Sequence, residues 1–250
     1  MPTPFMHIRA AHRFLTDSEV APNIRAFLTQ PAHLGPFLFG NVAPDARVSG
    51  GVARGETHFF EYQLPITPPQ ETLFAEHPSL RHAAGAQRAF VAGYIAHLAM
   101  DAVWAEDMLF AHFYHQDWES REHGYIMLHV LLCALDAEAE GQWPPQYGVA
   151  LAEAEPADWL PFMSDEALAA WREVIGRQVR PGGHSETIEV LGQRVPIGPA
   201  GVRDILNDAE RMQHEIWRRV PPSLIADIRE KMYAAMREVV SDYLTAEGAA

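Results

Sequence analysis

The sequence has few cysteines and lysines, and it lacks any long apolar run. Cys133 is the single cysteine in a chain of 250 residues, so no intramolecular disulfide can form. No uninterrupted apolar stretch reaches the roughly 18 residues that a membrane-spanning helix needs. We therefore expect no transmembrane segment and no stable association with a membrane.

Positive charge is also scarce. The chain has 19 basic residues against 33 acidic ones, and its formal net charge is −14. This balance is opposite to the basic surface that nucleic-acid binding requires, so we expect no nucleic-acid partner. An acidic protein can nevertheless act on an anionic substrate when bound cations reverse the local field.

The N-terminal segment, MPTPFMHIRAAHRFL, lacks the features of a secretory signal. It has no uninterrupted apolar region and no cleavage site of small residues. We therefore interpret it as mature sequence and expect a cytoplasmic protein.

The hydrophobic pattern predicts an all-α fold, a multi-helix bundle that forms a single domain over residues 1–250. Helices are predicted at 5–15, 17–28, 84–113, 121–139, 165–178, 199–219 and 224–244. Residues 30–62 are rich in glycine and proline, which predicts a long functional loop. Alternating apolar residues and a turn at Gly192 predict one small β-hairpin near 186–197.

Histidine is the residue type in excess, with thirteen copies, and it occurs near acidic residues. In the stretch GYIAHLAMD, His97 and Asp101 are four residues apart, so both side chains lie on the same face of a helix and can reach one cation. Such clusters of histidine and carboxylate are typical of metal sites. The alternative is a buried histidine hydrogen-bonded to its own i+4 carboxylate.

Three further motifs precede this pair: His7 on the first helix, Asp45 after a proline in GNVAPDA, and His58 in THFFEY. In this order, PFMHIRAAHRFL, GNVAPDA, THF and GYIAHLAMD resemble the zinc-dependent phospholipase C family. The resemblance covers about residues 1–140. It implies the all-α phospholipase C-like fold that this family shares with the zinc-dependent single-strand nucleases.

The resemblance also implies a set of metal ligands. The positions that match Asp45, His58 and His97 bind one zinc ion in the family. The position that matches Asp101 bridges to a second zinc ion, to which the position of His7 also binds. Asp45 is in addition expected to act as a general base or to orient the attacking water.

The family's third metal ion depends on positions where this chain differs. The family has a histidine shortly after the HxxxD aspartate and an HxxxE motif on the next helix. Here Asp107 is nearest to the first position and His112 follows it, while His129 precedes Cys133 where glutamate is expected. A thiolate can bind zinc, but a buried cysteine is more often a small apolar residue. We therefore expect one or two ions rather than three.

These residues predict a metal-dependent hydrolase that acts on a phosphate ester of a small molecule through a zinc-activated water. Zinc lowers the pKa of bound water to about 7, which provides a nucleophile at neutral pH. Mn²⁺ and Fe²⁺ also suit histidine and aspartate ligands. Two alternatives remain: the same scaffold used for amide hydrolysis or a biosynthetic step, or a non-catalytic helical protein with structural zinc.

Overall fold

The computed structural model describes residues 2–246, and it confirms the predicted all-α fold. This range contains fourteen α-helices and no β-strand. The helices are α1 Pro4–Thr16, α2 Pro22–Leu28, α3 Pro31–Gly40, α4 Arg47–Gly50, α5 Arg54–His58, α6 Pro69–Glu76, α7 Gly85–Trp104, α8 Arg121–Ala139, α9 Gln146–Ala152, α10 Asp165–Val179, α11 Thr187–Gly192, α12 Gly198–Leu206, α13 Ala209–Arg211 and α14 Pro222–Thr245. Short 3₁₀-helices cover Ala43–Ala46 and Pro78–His82, and π-helical segments cover Ala105–Tyr114 and Met212–Trp217.

Helix α7 forms the centre of the molecule. Every residue from 89 to 101 is buried, and the helix packs mainly against α3 and α14. A helix that is apolar on all sides is stable only when other elements surround it. His97 and Asp101 are therefore polar residues in the middle of the hydrophobic core.

Two glycines allow α3 and α7 to approach closely. A Cβ atom at Gly93 would lie 2.2 Å from the carbonyl oxygen of Phe37, and one at Gly40 would lie 2.1 Å from the carbonyl oxygen of Phe90. Both distances are far shorter than a van der Waals contact. Since neither position has room for a side chain, the close approach requires glycine at both.

The prediction of a long loop over residues 30–62 is wrong. Helices α3, α4 and α5 and the 3₁₀-helix Ala43–Ala46 occupy most of this segment. Pro31 is the first residue of α3, where its missing N–H costs nothing. Gly35 and Gly40 do not form turns. They lie in α3 and allow it to pack closely against Ala150 and Phe90, so the content of glycine and proline did not indicate a loop.

The β-hairpin predicted near 186–197 is also wrong, because residues 187–192 form helix α11. Thr187 and Leu191 are both buried, and their spacing of four residues follows a helical period. Val190 is half exposed, although the strand interpretation placed it in an apolar alternation. Helical packing therefore prevails over the short alternating pattern.

Several other helix predictions agree with the structure. Helix α8 covers Arg121–Ala139, as predicted, and the Ser164 hydroxyl caps α10 by accepting a hydrogen bond from the Ala167 N–H. The helix predicted at 199–219 is divided into α12, α13 and the π-helical segment Met212–Trp217. None of the described helices combines the length and apolar character needed to cross a bilayer.

Candidate metal centre

Four elements bring the five principal predicted ligands together in the core. Helix α1 provides His7, the 3₁₀-helix Ala43–Ala46 provides Asp45, and the last residue of α5 provides His58. Helix α7 provides His97 and Asp101. The ligand atoms form two groups, His7–His97–Asp101 and Asp45–His58–His97, and within each group they lie within 4.8 Å of one another.

The centre is buried but opens on one side. The side chains of His7, His58, His97 and Asp101 are 0% exposed, whereas that of Asp45 is 20% exposed. Asp45 therefore lies between the buried ligands and solvent.

The distances between ligand atoms suit a metal ion better than a hydrogen bond. Asp101 Oδ2 lies 3.4 Å from His58 Nε2 and 3.5 Å from His97 Nε2, and Asp101 Oδ1 lies 3.6 Å from His7 Nε2. His58 Nε2 is 3.6 Å from Asp45 Oδ1. These values exceed the usual length of a hydrogen bond. They match the roughly 3.4 Å edge of a tetrahedron with zinc–ligand bonds of about 2.1 Å.

Four of the ligand atoms are also unsatisfied within the protein. Nε2 of His7, His58 and His97 and Oδ1 of Asp101 are buried and have no hydrogen-bond partner. Leaving such atoms unpaired costs about 1–3 kcal/mol each, so folding would not favour this arrangement without a further ligand. The residues present therefore fit a metal ion and can hold one.

Neighbouring groups fix two of the imidazole rings. His97 Nδ1 lies 2.9 Å from the carbonyl oxygen of Asn41, so we assign the proton to Nδ1. Thr57 donates its hydroxyl to the Arg54 carbonyl and accepts from His58 Nδ1 at 2.9 Å. Both contacts leave the Nε2 lone pair directed at the cluster, which is the usual outer-shell arrangement of a metal site.

Burial keeps two of the histidines neutral. It lowers the pKa of His7 from 6.5 to about 4, with a further contribution from the charge of His97. Burial also lowers the pKa of His58 well below its usual value. Because only the neutral imidazole binds a metal, these two side chains are ready to do so at neutral pH.

The two carboxyl groups are shifted in opposite directions. Burial raises the pKa of Asp45 above its ordinary value. Burial would also raise the pKa of Asp101, but the adjacent His97, His7 and His58 outweigh it and hold that pKa well below the usual range. Asp101 in turn raises the pKa of His97 against the effect of burial. Asp101 is therefore the fixed negative charge of the centre.

The three residues expected at a third ion lie outside both groups. Asp107 forms an ion pair with Lys231 at 2.7 Å, and the carbonyl of His112 accepts a hydrogen bond from Trp118. His129 Nδ1 is 2.8 Å from the carbonyl oxygen of Tyr125. Burial raises the pKa of the Cys133 thiol to about 12, so it is protonated at neutral pH, as expected of an apolar core residue. The role of Asp107, His112 and His129 as metal ligands stays a prediction.

Arg54 is a neighbour of the centre that the sequence interpretation missed. Its Nη2 lies 3.4 Å from Asp101 Oδ2, and its guanidinium carbon lies 4.4 Å from the ring centroids of Phe60 and Tyr62. A signal was present, because Arg54 is four residues before His58 on the same helix and therefore shares its face. Asn41 was missed because its contribution is a backbone carbonyl, which no residue type marks.

Comparison of the chain with models of protein families, with curated proteins and with solved structures finds no match. The resemblance to the zinc-dependent phospholipase C family therefore stays a prediction. Chemically, the centre offers three imidazoles, the fixed carboxylate of Asp101 and the partly exposed carboxylate of Asp45. This donor set suits zinc and other first-row divalent metals.

Proposed function

We propose that this protein is a metal-dependent hydrolase that cleaves a phosphate ester, and that it is a short member of the zinc-dependent phospholipase C family. The observation that carries the proposal is the set of ligand distances of 3.4–3.6 Å, in which the three imidazole Nε2 atoms and Asp101 Oδ1 have no hydrogen-bond partner. The partly exposed side chain of Asp45 also brings one ligand into contact with solvent. The order of the motifs along the chain supports the family assignment.

Asp101 lies between two sets of ligands. Its Oδ2 faces His58 and His97, whereas its Oδ1 faces His7. We propose that Asp45, His58 and His97 would hold one ion, and that Asp101 and His7 would provide ligands for a second. When bound, zinc supplies Lewis acidity for the phosphoryl group and a water of lowered pKa. Mn²⁺ or Fe²⁺ would use the same ligands.

Asp45 is the residue that we propose to orient the attacking water and accept its proton. Its side chain is the most exposed of the five, so it is the ligand best placed to contact a water that enters from solvent. The four other ligands are fully buried and hold fixed positions. A rigid cluster with one exposed carboxylate suits the binding and hydrolysis of a small phosphorylated molecule.

The metal content of the purified chain tests the first part of this proposal. We expect one or two equivalents of metal in the wild type and at least a tenfold loss of metal affinity in His97→Ala and Asp101→Ala. His184→Ala is a matched control, because His184 also pairs with a carboxylate, Glu140 at 3.0 Å, but is 85% exposed. Full retention of metal in both core variants would contradict the ligand assignment.

A structural zinc site is the second candidate, because four of the five ligands have no exposed surface. A structural ion has four protein ligands and no open position. Assays of the metal-loaded chain with phosphodiesters, phosphomonoesters and amides separate the candidates. Turnover of a phosphate ester supports our proposal, and amide turnover supports a different hydrolase. If no substrate is turned over and the metal ion has four protein ligands with no open position, the structural role is supported.

A further inference from the structure

Arg54 lies at the edge of the metal centre, between the buried ligands and solvent. Its guanidinium carbon is 4.4 Å from the ring centroids of both Phe60 and Tyr62. Nη1 donates to the Phe60 carbonyl at 3.2 Å, and Nη2 lies 3.4 Å from Asp101 Oδ2. The Arg54 side chain is 16% exposed, whereas that of Asp101 is fully buried. A permanent positive charge is therefore held beside Asp101 on the solvent side.

The Arg54 guanidinium lies against two aromatic rings, Phe60 and Tyr62, which are nearly perpendicular to each other at 86°. Contact with the faces of aromatic rings stabilises a cation and restricts the positions that its side chain can take. The carbonyl of Phe60 adds a hydrogen bond that restricts rotation about the side chain. Arg54 is thus preorganised, and little conformational entropy is lost when its N–H groups bind a ligand.

The charge balance favours an anionic ligand once metal is bound. Asp45 and Asp101 are the carboxylates of the two ligand groups, and a single divalent cation neutralises both. With Arg54, the loaded cluster therefore carries net positive charge. Arg47 adds to this, since it lies close enough to act electrostatically on Asp45 and His58. A local positive field in a protein of net charge −14 attracts anions to this opening.

We propose that Arg54 binds an anionic oxygen of the substrate, so that the ligand beside the metal centre is a phosphate or a phosphate ester. The planar fork of a guanidinium matches two phosphate oxygens, and such charge-assisted pairs are among the stronger hydrogen bonds. This inference rests on the proposed function. It identifies Arg54 as a substrate-binding residue and the anionic phosphoryl group as the feature that the site recognises.

Binding of inorganic phosphate to the zinc-loaded chain tests this inference by calorimetry. For Arg54→Gln we expect phosphate affinity to fall roughly ten- to a hundredfold, the usual effect of losing a charged hydrogen bond, with zinc content unchanged. Arg219→Ala is the matched control. Arg219 also stacks on an aromatic ring, Trp118 at 4.8 Å, and donates to a backbone carbonyl. The Arg219→Ala variant should bind phosphate with the affinity of the wild type.

Arg54→Lys provides a second variant that retains the charge but loses the planar fork. We expect about three- to tenfold weaker phosphate binding, and this variant carries the test if Arg54→Gln does not fold. If either folded variant binds phosphate with wild-type affinity at equal zinc content, the inference is overturned. The assignment of the metal ligands is not affected by that result. A wild-type chain that binds no metal would overturn the proposed function together with the inference.

A second arm of the experiment identifies the source of the phosphate. Vesicles of phosphatidylcholine that contain phosphatidic acid present the same group on a lipid surface. If Arg54→Gln weakens binding to these vesicles, the recognised group is a lipid headgroup. If it weakens only the binding of inorganic phosphate, the recognised group belongs to a soluble ester. Either result supports the role of Arg54.

Discussion

At the scale of single residues, the Thr57 hydroxyl links two parts of the metal centre. It donates to the carbonyl of Arg54 and accepts from His58 Nδ1. The Thr57 carbonyl in turn accepts a hydrogen bond from the Tyr94 hydroxyl at 2.7 Å. The orientation of His58 therefore depends on a residue that is not itself a ligand.

We predict that Thr57→Val lowers metal affinity by about 10- to 100-fold, because His58 loses the acceptor that fixes its ring and its tautomer. Competition with a chromogenic chelator measures this affinity. Thr57→Ser restores the acceptor and should restore most of the affinity. Thr29→Val removes a comparable hydroxyl that donates to the Arg25 carbonyl on the surface, so it serves as control. Equal affinities for Thr57→Val and the wild type would exclude this role.

The sequence identified the five clustered side chains because each is a residue type that binds metal and occurs in a recognisable order. His97 and Asp101 also share a helical face, which geometry alone predicts. The supporting groups could not be found in this way. Asn41 acts through its backbone carbonyl, and its contact with His97 depends on how α3 packs against α7.

At the scale of elements, the contact between α3 and α7 determines where the Asn41 carbonyl lies. Besides its approach to Phe37, a Cβ atom at Gly93 would lie 2.9 Å from the Asn41 backbone nitrogen. Both obstacles are backbone atoms, which cannot rotate away as side chains do. A side chain at this position would therefore push the two helices apart and move Asn41 away from His97.

We predict that Gly93→Ala lowers the free energy of unfolding by about 1–3 kcal/mol or more, as expected for overpacking in a core. It should also lower metal content, because the Asn41 carbonyl moves away from His97. Urea unfolding and metal analysis measure the two effects. Gly176→Ala in α10 is the control, since its new Cβ would come no closer than 3.2 Å to any atom, Ala152 Cβ, against 2.2 Å at Gly93. Wild-type stability in Gly93→Ala would show that the helices tolerate a wider separation.

Long helices with a regular apolar period were predictable, whereas short elements were not. Helix α8 has 19 residues and α10 has a serine cap, and both signals are local. Helices α4 and α5 have four and five residues, which is too short for any period to appear. Helix α5 is held by its buried residues Thr57 and His58, whereas α4 has no buried residue and contacts α10. These tertiary contacts are not present in the local sequence.

At the scale of the whole molecule, the buried cluster makes stability depend on protonation. His7 and His58 prefer the neutral form in the folded chain, because burial disfavours their charged form. In the unfolded chain the same histidines titrate near their ordinary values, about 6.5. Below this pH the unfolded chain takes up protons that the folded chain does not, so acid favours unfolding.

We predict that the chain treated with a chelator loses stability as the pH falls from 6.5 to about 4, the window set by the lowered pKa of His7. A shift of this size corresponds to about 3 kcal/mol for the fully buried His7. His7→Gln removes this titration, so its free energy of unfolding should fall about 3 kcal/mol less than that of the wild type between pH 7 and pH 4. Urea unfolding at both pH values measures the difference, and the carboxylates remote from His7 titrate alike in both chains and cancel. Equal losses in the two chains would mean that His7 takes up its proton as readily in the folded state as in the unfolded state.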